Sequence, residues 1–168
     1  MEWIETPSGN RISVSSKLHN KENIQIKGNS TIGPGVELNA LENEVSILIG
    51  KYCYLSENCH ITPPLLKPGV YGQFKMGNYT IIGKDCILKA AAIGNRVVIE
   101  SDCKVDELAI IYDCCIIRQG TIIPPKMIIP PFSEVRGVPG KNFKVSQLGT
   151  GYKRTIEIEA KELQILGM

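Results

Sequence analysis

One feature constrains this chain more than any other: an aliphatic residue returns every six positions. Starting from Ile93, the series runs Ile93, Ile99, Val105, Ile111, Ile117, Ile123, Ile129 and Val135 without a miss. Ile, Leu, Val and Met supply 50 of the 168 residues, so eight hits in one fixed register have a chance on the order of 1 in 10,000. Upstream the same step recurs in blocks: Met76, Ile82, Leu88; Ile49, Leu55, Ile61; and Ile26, Ile32, Leu38. Between Leu88 and Ile93 one residue is lost. Residues six apart on an α-helix do not share a face, whereas in extended chain an even step returns to the same side.

The position two before a marked residue is usually small or apolar too, as at Ser30, Val36, Cys53, Cys59, Cys86, Val97, Cys103, Ala109, Cys115, Thr121, Met127 and Ser133. Each short strand therefore points one large and one smaller side chain inward. Gly33, Gly50, Gly83 and Gly94 follow marked positions, where a corner needs permissive backbone. The pattern predicts an all-β parallel solenoid in which three hexads close a triangular turn of roughly 18 residues. Seventeen marked positions then make between five and six turns, a prism about 25–30 Å tall at about 4.8 Å per layer.

The breaks define the organisation. Residues 1–25 form a lead-in and first coil, with a turn at Thr6-Pro7-Ser8-Gly9-Asn10 and an irregular start at Ile12 and Val14. The solenoid occupies 26–140. Leu38 to Ile49 carries extra residues around Glu42-Asn43-Glu44, and 62–75, with Pro63, Pro64, Pro68, Gly69 and Gly72, reads as an exposed loop. That loop holds Leu65, Leu66, Val70, Tyr71 and Phe74, which either fold back on the prism or meet another protein. Gly137-Val138-Pro139-Gly140 stops the coils, and 141–168 is a linker and helix. Ile156, Ala160, Leu163 and Leu166 give residues 154–166 a helical stripe, with a strand possible at its first turn. It should cover a prism side or cap an open end.

Residues just before the marked positions should face outward. Ile81, Val98 and Ile116 then stack on one side, and Ile110 and Ile128 on another. Apolar stripes on the outside of a prism need a cover. The terminal helix can cover one; a second needs a partner chain. These five residues, with Leu65, Leu66, Tyr71 and Phe74, are the candidate partner-binding set.

Composition excludes several classes. A net charge of +2 offers no field for nucleic acid, and 43% hydrophobic with 21% charged residues is no disordered chain. No apolar run approaches the roughly 18 residues of a membrane span. The start at Met1-Glu2-Trp3-Ile4-Glu5 has neither a basic leader nor a long apolar core, so no secretory signal is expected and the six cysteines should be thiols. Five of them take the smaller inward slot, and Cys114 alone lies outside it. No CxxC pair suggests zinc, and Asp85, Asp102, Asp106 and Asp113 read as turn residues. No cofactor, metal or catalytic set is expected.

The six-step repeat resembles the hexapeptide-repeat family, and that resemblance, not the general rule for parallel crossovers, implies a left-handed coil. Many such proteins are homotrimeric acyltransferases or carbonic-anhydrase-like zinc enzymes, the alternative reading for this chain. The zinc type needs three histidines, and only His19 and His60 exist; where it would show Arg-Gly-Asp, the chain reads Leu38-Asn39-Ala40. His60 is the one candidate general base of an acyltransferase. A closer resemblance is carried by Trp3 to Ser13, by Ile82-Gly83-Lys84-Asp85-Cys86-Ile87-Leu88-Lys89-Ala90-Ala91-Ala92-Ile93-Gly94, and by Asp113-Cys114-Cys115 followed by Thr121-Ile122-Ile123-Pro124-Pro125-Lys126-Met127-Ile128-Ile129-Pro130-Pro131-Phe132. These stretches are similar to the dynactin subunit 5 family. The resemblance implies a non-enzymatic scaffold subunit of the dynactin pointed-end complex, cytoplasmic and cytoskeleton-associated. It pairs with dynactin subunit 6, docks on dynactin subunit 4 and the pointed-end actin-related protein, and helps dynein engage early endosomes through cargo adaptors. It implies no nucleic acid and no direct membrane insertion.

Overall fold

The computed structural model describes residues 2–166. The chain winds as a three-sided, left-handed parallel β-helix of about six turns, with one C-terminal helix against its flank. Each side is a sheet whose strands come from successive turns. The first side has nine strands, the second and third six each. Register follows the six-residue period. On the first side Ile12, Ile32, Leu55, Ile82, Ile99, Ile117 and Val135 stack in one column. On the second Leu18, Leu38, Ile61, Leu88, Val105 and Ile123 do so. Ile26, Ile49, Met76, Ile93, Ile111 and Ile129 form the third. All marked residues are buried except Ile26, which is half-buried in the first coil.

The smaller inward position has a second task. At several corners the carbonyl after a marked residue needs a donor from within the protein. There the hydroxyl or thiol of a smaller inward residue donates to it. Ser30 donates to the Gly50 carbonyl at 3.0 Å, Thr80 to Gly94 at 3.0 Å, Cys59 to Gly83 at 2.9 Å and Cys53 to Gly77 at 3.0 Å. Cys86, Cys103 and Cys115 do the same to Glu100, Arg118 and Pro130 at 3.1, 3.1 and 3.2 Å. Compact side chains with a donor thus stitch corner to corner. The thiols are free, and burial pushes Cys53 and Cys115 up to about 11 and Cys59 to about 12.

Between the third and first sides the corner is held by a side-chain ladder. Lys51 N–H donates to Asn78 Oδ1 at 2.8 Å, Asn78 N–H to Asn95 Oδ1 at 2.7 Å, and Asn95 N–H to Asp113 Oδ1 at 2.8 Å. Glycine precedes each of the three donors because the accepting side chain occupies the space a Cβ would take. A Cβ on Gly94 would come within 2.9 Å of the Asp113 backbone nitrogen. The next residue but one at this corner, Tyr52, Tyr79, Arg96 and Cys114, has φ between 56° and 58°.

Three regions differ from the sequence expectation. The first coil joins the prism: Ile12 and Leu18 extend two interior columns, while Val14 is exposed. The Trp3–Glu5 strand pairs antiparallel with Arg11–Ser13, and Lys144–Gln147 pairs antiparallel with Ser133–Arg136, so the first side is capped at both ends. The 62–75 segment is a small hairpin of Leu65–Lys67 and Val70–Tyr71. Its last large residue, Phe74, is inside the prism at 0% exposure. It sits two before Met76 and aligns with Ile47, an inward position like any other.

The helix, α1 (Tyr152–Leu166), runs down the first side from the last turn to the first. Leu148 and Ile156 cover Ile116 and Val98 near its start. Arg96 Nε donates to Glu157 Oε2 at 2.7 Å in the middle. At its end Thr31 Oγ1 donates to Gln164 Oε1 at 3.0 Å, Gln164 Nε2 donates to the Gly9 carbonyl at 3.2 Å, and Arg11 donates to the Leu163 and Gln164 carbonyls. The strand alternative at its first turn does not occur; Ile156 and Ala160 are buried on a helical face.

Candidate functional site

The candidate contact residues separate into three groups. Ile81, Val98 and Ile116 stack on the first side as expected. Leu148, and Ile156 of the chain's own helix, cover Ile116 and Val98, and Ile81 is buried as well. They hold the helix to the prism, and Phe74 belongs to the prism core.

The second group lies on the third side, which has no helix. Ile110 and Ile128 occupy neighbouring outward positions. Ile110 is half-buried and Ile128 is 59% exposed. The same outward column continues through Ala92, Lys75, Leu48 and Gln25. This side combines a flat, hydrogen-bonded backbone with an apolar upper half. The first side has the same construction, and there the chain itself shows what such a stripe does: it binds an apolar helical face.

The third group is the hairpin. Leu65 is half-buried, Leu66 is 52% exposed and Tyr71 is 42% exposed. The Leu65 N–H donates to Glu107 Oε2 at 2.7 Å, and Glu107 in turn lies 4.0 Å from Lys89 Nζ. Glu107 was invisible as an anchor in the sequence because it lies 42 residues from its partner.

His60, the candidate base, faces outward on the second side. Its Nδ1 lies 3.9 Å from Glu37 Oε2, and His19 Nε2 lies 3.8 Å from the other oxygen of that carboxylate. Both imidazoles are about half exposed. Among the described residues no cluster of three or more His, Cys, Asp or Glu has metal-binding geometry. No helix of the described residues is long and apolar enough to cross a membrane.

A family model for dynactin subunit 5 matches residues 1–152. The chain belongs to the dynactin subunit 5 family. A dynactin subunit 5 from Dictyostelium discoideum is 37% identical over 97 residues, 56% of this chain and 48% of that protein. The chain thus matches about half the length of that relative. Among solved structures, a hexapeptide transferase family protein from Anaplasma phagocytophilum superposes with a TM-score of 0.68 at 16% identity, covering 94% of this chain and 90% of the other. An N-acyltransferase from Bacillus cereus gives 0.69 at 14% identity over 94% and 89%. At such identity these two share the fold and nothing more is carried over from them.

Proposed function

We infer that the chain is a non-enzymatic structural subunit at the pointed end of dynactin. It presents preformed faces to neighbouring subunits and so supports dynein-driven transport, including that of early endosomes through cargo adaptors. Dynactin subunit 6, dynactin subunit 4 and the pointed-end actin-related protein are the proposed neighbours, in a cytoplasmic, cytoskeleton-associated assembly. The observation that supports this reading is the unequal treatment of two equivalent stripes. One, Ile81-Val98-Ile116, carries the chain's own helix; the other, Ile110-Ile128, has no helix over it and leaves Ile128 exposed. A solenoid side is rigid because each strand is bonded above and below, so a partner binds without ordering it first.

The test is a double substitution, Ile110→Lys and Ile128→Lys. Both side chains point away from the core, so the melting temperature should stay within a few degrees of the parent, while incorporation into dynactin, read by sedimentation of the native complex, should be lost. Normal incorporation of a folded double variant would remove the third side from the interface.

A further inference from the structure

The two longest departures from the six-residue period open at the same corner. The extra residues after Leu38 and the hairpin after Ile61 both lie between the second and third sides, on consecutive turns. Neither is needed for winding. Leu38 still pairs with Ile61, and Ile49 with Met76, on either side of the excursions. Together they form the walls of a cleft of about 370 Å³. One wall is Leu41, Glu42, Asn43 and Glu44; the other is Gly69, Val70 and Tyr71.

Both walls are fixed. Asn23 Nδ2 donates to the carbonyls of Leu41 and Glu42 at 2.7 and 2.8 Å. The Leu41 N–H donates to Ser46 Oγ at 2.7 Å. Gly72 N–H donates to the Pro64 carbonyl at 2.8 Å, closing the hairpin base, and Glu107 holds Leu65. Gln73 Nε2 reaches across to the Val45 carbonyl at 2.9 Å and ties one excursion to the other. A cleft built this way is preorganised rather than a gap between two mobile loops.

Its chemistry is asymmetric. Glu42 and Glu44 are exposed, and among the described residues neither has a cation within 4.0 Å. Facing them, Val70 and Tyr71 expose apolar and aromatic surface. Two uncompensated carboxylates opposite an aromatic ring fit a guanidinium or ammonium group flanked by an aliphatic side chain: ion pairing on one wall, ring contact on the other.

We propose that this corner cleft is a docking site for a segment of another protein that carries arginine or lysine beside an apolar residue. The proposal rests on reading the hairpin as a contact surface and adds the kind of partner. Its test uses the isolated full chain. Two fluorescein-labelled octapeptides serve as probes, one alternating arginine and leucine, the other alternating glutamate and leucine, with binding followed by fluorescence anisotropy. The basic peptide should bind saturably and the acidic one not. Glu42→Gln with Glu44→Gln should weaken binding about tenfold, as should Tyr71→Ser. Glu159→Gln, an exposed acid on α1, should leave affinity unchanged. Absence of basic-peptide binding, equal binding of both peptides, or equal affinity in the cleft variants and the parent would overturn the proposal. Because no other subunit is present, that failure would leave the assembly role of the third side standing.

Discussion

The interior thiols make the fold sensitive to alkali in a calculable way. Cys53 and Cys59 are 2% and 0% exposed, and each donates to a corner carbonyl. Burial pushes their ionisation from 9.0 to about 11 and about 12. In the unfolded chain they ionise near the ordinary value. The sign follows from linkage: a group whose folded pKa is raised contributes stability fully below its unfolded pKa, and that contribution declines as pH rises toward the folded value. Between pH 8 and pH 10 each thiol loses about 1 kcal/mol of this contribution, so the two together lose roughly 2–3 kcal/mol. Cys115, also raised by burial, acts in the same direction. The assay is urea unfolding under reducing conditions at pH 7, 8, 9 and 10. The parent is compared with Cys53→Ser/Cys59→Ser, which keeps a hydroxyl donor at each corner but has no thiol to ionise. The difference in unfolding free energy between parent and variant should shift by roughly 2–3 kcal/mol in the variant's favour across that range. A difference independent of pH, or full thiolate formation in the folded parent at pH 9, would refute the placement of these thiols.

Other perturbations separate the elements. Ile116→Lys places a charge beneath Leu148 and Ile156. It should cost about 2–4 kcal/mol and raise hydrogen exchange in α1 while the coils stay protected. Gly94→Ala drives a methyl group against the Asp113 backbone. It should cost about 2 kcal/mol and lower the melting temperature, whereas alanine at the open Gly149 should not on steric grounds. The Arg96 guanidinium holds Glu157 below the usual carboxylate range. Protection of α1 should therefore be present above that range and weaken as pH falls beneath it, and Glu157→Gln should remove this dependence.

The columns were legible because the period is physical. Side chains six apart in extended chain share a face, and burial selects aliphatic residues there. The inward role of the cysteines followed from the same count; their donor role did not, because each accepting carbonyl lies 14 to 24 residues away. The proline- and glycine-rich stretch before Phe74 hides its return to register two residues before Met76. Leu18 stands outside the six-residue series because the 3₁₀ turn at Lys21–Asn23 interrupts the spacing to Ile26. The stripe under the helix was visible as a stripe, but which of two stripes the helix would take depends on contacts such as Arg96–Glu157 and Thr31–Gln164, 61 and 133 residues apart. The corner cleft had no sequence signal beyond two interruptions, which the winding brings together.

Purification of the tagged chain from cells under native conditions, with quantitative mass spectrometry of the assembly, tests the central claim most directly. The account predicts stoichiometric recovery with the other dynactin subunits, dependent on the third-side residues Ile110 and Ile128. Recovery as a free homotrimer that transfers acyl groups from coenzyme A would contradict it.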